Sequence, residues 1–286
     1  LAETIDDTDT KVYAIKGLAA LDFFAGDIDR AEKRLREALP YKDDVRDTGT
    51  FAHIINNLGV IARNRNDYET ADTLFTRALK LHRQGNSPHG LATTLYNVAD
   101  SIRRQGQRAK ALQYFHEIIE SSLSIGNLPT AALAYAEIAL MYYDDDDYAN
   151  ALDYLEKEME LQNNIENPFS VTLNYLHRTF VFIAMREYET AREFLHKASV
   201  RLQNSDYVLL QLIAVIAYAR LVMNSNRASY AVELLGFVEQ HEAGQNHDLQ
   251  RFIERLLRDL RRTVPPITLK MMRDRETRLH LADLID

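Results

Sequence analysis

The sequence of 286 residues contains no cysteine and no tryptophan. Without cysteine there is no disulfide and no cysteine–histidine zinc site, and a reducing, cytoplasmic setting is the natural reading. Glycine is scarce, at ten residues. None of them forms a GxxxxGK[ST] or GxGxxG loop, so no NTPase or dinucleotide site lies within this stretch. HExxH is absent, and no serine sits in a glycine elbow. No apolar run approaches the roughly 18 residues of a membrane-spanning helix. The first ten residues, LAETIDDTDT, lack both an initiator Met and a signal-like apolar core. The chain is therefore expected to begin inside a longer protein. A net charge of −8 suits a soluble acidic protein and disfavours nucleic acid as a partner. The expectation is a protein that is not an enzyme and needs no cofactor, metal or membrane.

What the sequence does have is a repeat. Alanines recur every forty residues at Ala31, Ala71, Ala111, Ala151, Ala191 and Ala231. Twelve residues before each stands a small residue: Ala19, Gly59, Ala99, Ala139, Thr179 and Ala219. Four residues after each stands a large apolar one: Leu35, Phe75, Phe115, Leu155, Leu195 and Leu235. A fixed period of this length marks a solenoid, in which each repeat buries its apolar face against its neighbours. Within each copy, apolar residues follow i, i+3, i+4, i+7 spacing twice, around a polar break. Six helical hairpins are thus expected over residues 1–241, with the small residues allowing close helix crossings and the large ones filling the grooves beside them. First helices are read near 12–24, 50–65, 88–105, 129–144, 168–185 and 207–224. Second helices are read near 28–39, 68–84, 108–125, 148–163, 188–203 and 228–241. Pro88, Pro129 and Pro168 fall near first-helix starts, where a missing amide donor costs nothing, and Ser87 and Asn167 are placed as N-caps.

The last 45 residues, 242–286, leave the period and are expected to cap the stack. LQRFIERLLRDL (249–260) puts Leu249, Phe252, Ile253, Leu256, Leu257 and Leu260 on one face and arginines on the other. The expectation is an apolar stripe covering the last repeat and a charged face in water. Residues 249–278 hold nine Lys/Arg against four Asp/Glu. No aromatic residues interleave with them in the way base stacking would need, so a solvated cap is preferred to a phosphate-tracking surface. Asp144–Asp147 is read as a solvated turn rather than a calcium loop, because it lacks the EF-hand glycine and glutamate. His241 and His247 are read as a plain loop.

The repeat pattern resembles the tetratricopeptide repeat, most closely in the second copy, with Leu58-Gly59, Tyr68, Ala71, Phe75 and Ala78. The common repeat has about 34 residues. Six more, three per helix, lengthen each helix by nearly one turn of about 3.6 residues and preserve the packing face. The resemblance implies an all-α, right-handed superhelical solenoid whose first helices line a concave wall. INNLG and LYNVA are similar to the peptide-binding repeats of kinesin light chains and spindle-orientation adaptors. Toward the end, AVELLGFVEQ, ERLLRDLRR and RETRLHLADLI resemble the C-terminal part of bacterial STAND-type regulators, including NB-ARC proteins and LuxR-type activators related to the maltose-system activator. That resemblance implies a sensor binding a peptide, a protein or a small-molecule inducer, with intramolecular contact to an upstream NTPase domain. The alternative is a constitutive scaffold that docks a partner without switching.

Counted from the small column, the wall positions are Asn56, Asn57, Arg63, Tyr96, Asn97, Asp100, Arg103 and Arg104 in repeats two and three. Glu137, Tyr143, Leu176, His177 and Phe180 continue them in repeats four and five. Asparagine offers a donor and an acceptor together, and arginine a planar donor fork for carboxylate or phosphate. An acidic peptide or anionic small molecule is the expected ligand. Asn57 and Asn97 either grip it or hydrogen-bond between neighbouring helices; Phe180 either receives an apolar part or packs in the core.

Overall fold

The computed structural model describes residues 7–24, 27–165, 167–203, 205–223, 227–241, 247–262 and 265. The 275–285 segment, which carries part of the regulator resemblance, lies outside the described residues. Among the described residues there are helices and no strands. Three hairpins open the chain: α1 (Thr8–Phe24) with α2 (Ile28–Glu37), α3 (Thr48–Asn64) with α4 (Tyr68–Gln84), and α5 (Pro88–Arg104) with α6 (Arg108–Ser124). A 3₁₀ turn over Leu39–Asp43, which the periodicity does not show, joins the first hairpin to the second. Next come α7 (Leu128–Asp144), α8 (Tyr148–Ile165), α9 (Pro168–Ala184), α10 (Tyr188–Leu202), α11 (Val208–Met223) and α12 (Ala228–Gln240). The last described helix is α13 (His247–Leu260). The chain forms two compact units, residues 1–134 and 135–286.

The forty-residue period has a simple local origin. From α3 through α7 every helix is 17 residues long and every connection is three residues. Two such helices and two such turns make one repeat. Each turn closes in the same way. The second turn residue is left-handed: Asn66 (φ 61°), Asn86 (48°), Gly106 (77°), Gly126 (71°), Asp146 (60°) and Arg186 (65°). The amide of the third turn residue then donates back five residues, as from Asp67 to the Ala62 carbonyl (3.0 Å) and from Asn127 to that of Ser122 (2.8 Å). This is the Schellman closure, which satisfies carbonyls left open at a helix end. The same third residue starts the next helix. Asp67 accepts from the Thr70 amide and Asp147 from that of Asn150; ahead of α9, Asn167 likewise accepts from Phe169 and Ser170. Ser87 holds the N-cap position of α5, but its side chain makes no capping bond.

The packing columns behave as their sizes require. All six period alanines are fully buried, as are the six small residues twelve positions earlier. A Cβ built on Gly59 would lie 2.7 Å from the Phe75 ring, so the bare backbone of α3 is what admits that ring from α4. Thr179 replaces a small apolar residue and hides its hydroxyl by donating to the Tyr175 carbonyl (2.8 Å), one turn back. Leu195 is the exception among the large residues, only partly buried beside Ile183, Ala191 and Leu221.

Candidate binding site on the first helices

In the first unit, the predicted wall residues of α3 and α5 meet, but largely with one another. Asp100 is the hub. Its carboxylate takes an ion pair from Arg63 (2.9 Å), two hydrogen bonds from Arg103 (2.6 and 3.0 Å) and one from the Arg104 Nε (2.9 Å). Burial alone would raise its pKa; the guanidinium groups of Arg63, Arg103 and Arg104 override that and hold it far below the usual carboxylate range. Asn97 donates to the Asn56 side chain (3.0 Å), and its carbonyl receives Arg63 Nη1 (3.3 Å). Asn56, Arg63, Asn97 and Asp100 are buried. The side chain of Arg104 is 4% exposed. These five residues therefore do not form an open wall. They are a polar layer joining adjacent repeats, because asparagine and arginine at neighbouring inward positions satisfy each other before they can reach a ligand. The residues that layer leaves partly accessible are Asn57, Tyr96 and Arg103.

In the second unit the predicted wall is covered, and α13 covers it. Phe252 stacks on Phe180 with ring centroids 4.5 Å apart and planes 19° apart, and on His177 at 6.0 Å. Leu176, His177, Phe180 and Tyr143 are buried. Two arginines of α13, Arg251 and Arg255, are engaged, while Arg258 is exposed as expected of a face in water. Arg251 pairs with Asp144 and approaches Glu137 (3.8 Å). Arg255 donates to the Tyr143 carbonyl (2.9 Å) and to Asp146 (2.8 Å), with its guanidinium 3.8 Å above the Tyr143 ring. Asp259 accepts from Arg220 (2.9 Å), which also donates to the Tyr143 hydroxyl. Two of the four aspartates read as a solvated turn thus hold the last helix. The end helix packs mainly on α11 and also on α12, the two helices of the last repeat, as a cap should, and it reaches beyond them to α9 and the end of α7.

Three buried titratable groups stand out, of which His177 was among the positions read from the sequence and His82 and Glu158 were not. His82, fully buried, sits edge-on to His53 (4.8 Å), with both ring nitrogens lacking a hydrogen-bond partner. A Cβ on Gly90 would lie 2.2 Å from its ring, so α5 needs glycine there. Burial pushes its pKa down to about 4. Under α13, burial and nearby Arg251 lower that of His177 to about 3. Glu158 on α8 is buried against Asn174 (2.8 Å), and burial raises its pKa to about 8. His82 and Glu158 lie on the second helices α4 and α8, to which the wall positions counted from the small column do not extend.

The family model for the MalT-like TPR region matches residues 10–260. At the level of sequence, no curated protein matches the chain. Among solved structures, a Rap protein complexed with competence and sporulation factor superposes with a TM-score of 0.63 at 14% identity, over 91% of this chain and 76% of that one. The apo form of RapI gives 0.57 at 17% identity, over 88% and 75%. BtubC from P. vanneervenii gives 0.53 at 18% identity, over 91% and 95%. At these identities the likeness is one of fold.

Proposed function

Because this chain belongs to the MalT-like TPR region family, we propose that it is the partner-sensing domain of a STAND-type NTPase or transcriptional regulator. It takes a peptide or protein, or a small-molecule inducer, on the first-helix face of its first unit. The observation that carries this reading is the polar layer around Asp100. A stack that only had to hold together would place apolar residues at these inward positions, since a buried ion pair is weak evidence of stability. Here the layer holds Arg103 through Asp100 and Asn57 through Asn56, with Tyr96 beside them against the Phe115 ring, and a preorganised surface loses less entropy on binding. The Rap protein solved with competence and sporulation factor supports a bound-ligand role for this fold.

The gene upstream of Leu1 provides the first test. An NTPase cassette joined in frame supports the switching sensor, and any other neighbour favours the constitutive scaffold. The second test is binding. Asn57→Ala combined with Tyr96→Phe removes two hydrogen-bonding groups without touching the packing columns. The pair should weaken partner capture by about tenfold, at roughly 0.5–1.5 kcal/mol per group. Unchanged capture with an unchanged melting temperature would move the site off this face.

A further inference from the structure

α13 covers the last repeat as a terminal cap does, and its contacts also extend past that repeat to α9 and the end of α7. A cap needs only an apolar stripe facing the last repeat. The contact made by α13 has an apolar centre, Phe252 on Phe180 and His177, and a charged rim in which Arg251 and Arg255 reach Asp144 and Asp146. That is the anatomy of a protein–protein interface, with a desolvated aromatic anchor inside a polar border. The receiving face also holds His177, whose Nδ1 is buried with no hydrogen-bond partner. Specific recognition of a helix laid in a groove reads i, i+3, i+4, i+7 anchors. Leu249, Phe252, Ile253 and Leu256 are such a set, all buried.

We propose that the face formed by the end of α7 with α9 and α11 is a receptor site for a basic amphipathic helix, occupied in this structure by the chain's own α13. The partner is a protein helix carrying an aromatic anchor, with arginines one position before it and three after it, as Arg251, Phe252 and Arg255 are spaced. Its charge follows from the acceptors: Asp144, Asp146 and the Tyr143 carbonyl ring the site and call for guanidinium groups. Partner and α13 exclude each other, so binding releases the C-terminal helix. A ligand can shift that equilibrium only by its preference for the open state. This concerns the second unit and does not depend on what the first unit's face binds.

The probe is a labelled peptide of residues 247–262, titrated by fluorescence anisotropy against the full chain. In the wild type the tethered helix competes at high effective concentration, and binding is weak. In the full-chain variant Phe252→Ala/Arg255→Ala the peptide should bind at least tenfold more tightly. Adding Asp144→Arg to that variant should abolish the gain, and a peptide carrying Arg251→Asp should restore it. A folded variant that binds no better than wild type, or binding indifferent to the charge exchange, overturns the proposal. Hydrogen exchange on the wild-type chain covers the case in which the variant does not fold. The amides of α13 should exchange at least tenfold faster than those of α9 and α11; equal protection would make α13 part of one permanent core.

Discussion

Asp100 shows how far a single residue's surroundings can reverse its expected role. At a position that periodicity assigns to a ligand-facing wall, it organises Arg63, Arg103 and Arg104 inside the protein. Replacing it with alanine would leave the Arg63 guanidinium buried without its carboxylate, and should destabilise the fold by about 3–5 kcal/mol. Urea denaturation of Asp100→Ala measures this; a loss under 1 kcal/mol would mean the layer is solvated. Asn97 belongs to the same layer, bonded to Asn56 and Arg63, so its replacement costs stability as well as any ligand contact. The inward direction of these side chains was legible in the sequence, because helical spacing fixes direction. Their partners were not. Whether Asn97 meets solvent or Asn56 depends on how closely α3 and α5 approach, and no single repeat encodes that distance.

At the scale of helices and turns the sequence was far more informative, since the small and large columns are local packing rules repeated six times. The boundaries read from them fall within a few residues of the observed ones, and most deviation is at the first helix and around the 3₁₀ turn. Substituting Ala71 or Ala111 with leucine should overpack a close crossing and cost about 1–3 kcal/mol or more in thermal melts. Wild-type stability in both would contradict the buried positions of these alanines. The turns allow a test of opposite sign. Arg186 holds φ at 65°, a conformation that costs a residue bearing a Cβ about 1–2 kcal/mol. Arg186→Gly should therefore stabilise the protein by up to about 1 kcal/mol, read as a rise in the urea midpoint. Gly106→Ala, where a Cβ would meet no neighbour, should lower it by a similar amount. If neither moved the midpoint, left-handed turn geometry would not contribute to stability. The covering of Tyr143, His177 and Phe180 by α13 was not legible from the repeat, because the helix that covers them comes from outside it.

For the whole molecule, the buried titratable groups set a pH profile. His82 and His177 have folded pKa values of about 4 and about 3, below the ordinary 6.5. Each contributes stability that is complete above pH 6.5 and is lost as pH falls toward the folded value. Glu158, raised from 4.5 to about 8, works in the other direction: its contribution is complete below pH 4.5 and is lost as pH rises toward 8. Stability should thus peak near pH 6.5. From there to pH 5 two histidine slopes, only half developed at pH 6.5, oppose one glutamate slope, for a net loss of about 1.5 kcal/mol at roughly 1.4 kcal/mol per proton per pH unit. Denaturant midpoints between pH 5 and 8 check this. Glu158→Gln should flatten the decline above pH 6.5, and a profile unchanged by that substitution would place the controlling group elsewhere.

The three-residue turn between helices has a consequence for how such a chain can evolve. One residue ends a helix, the next reverses the path and the third begins another helix, and from α3 to α8 this happens alike within repeats and between them. Removing residues 88–127, for example, would bring Ser87 directly against Leu128 and leave a helix–turn–helix junction of the same kind. Loss or gain of a few residues inside a helix would instead rotate every later side chain off its column. Duplication and deletion in such a gene are thus quantised, tolerated in whole repeats and selected against between them. Length becomes an inheritable variable that can change without a new fold being invented.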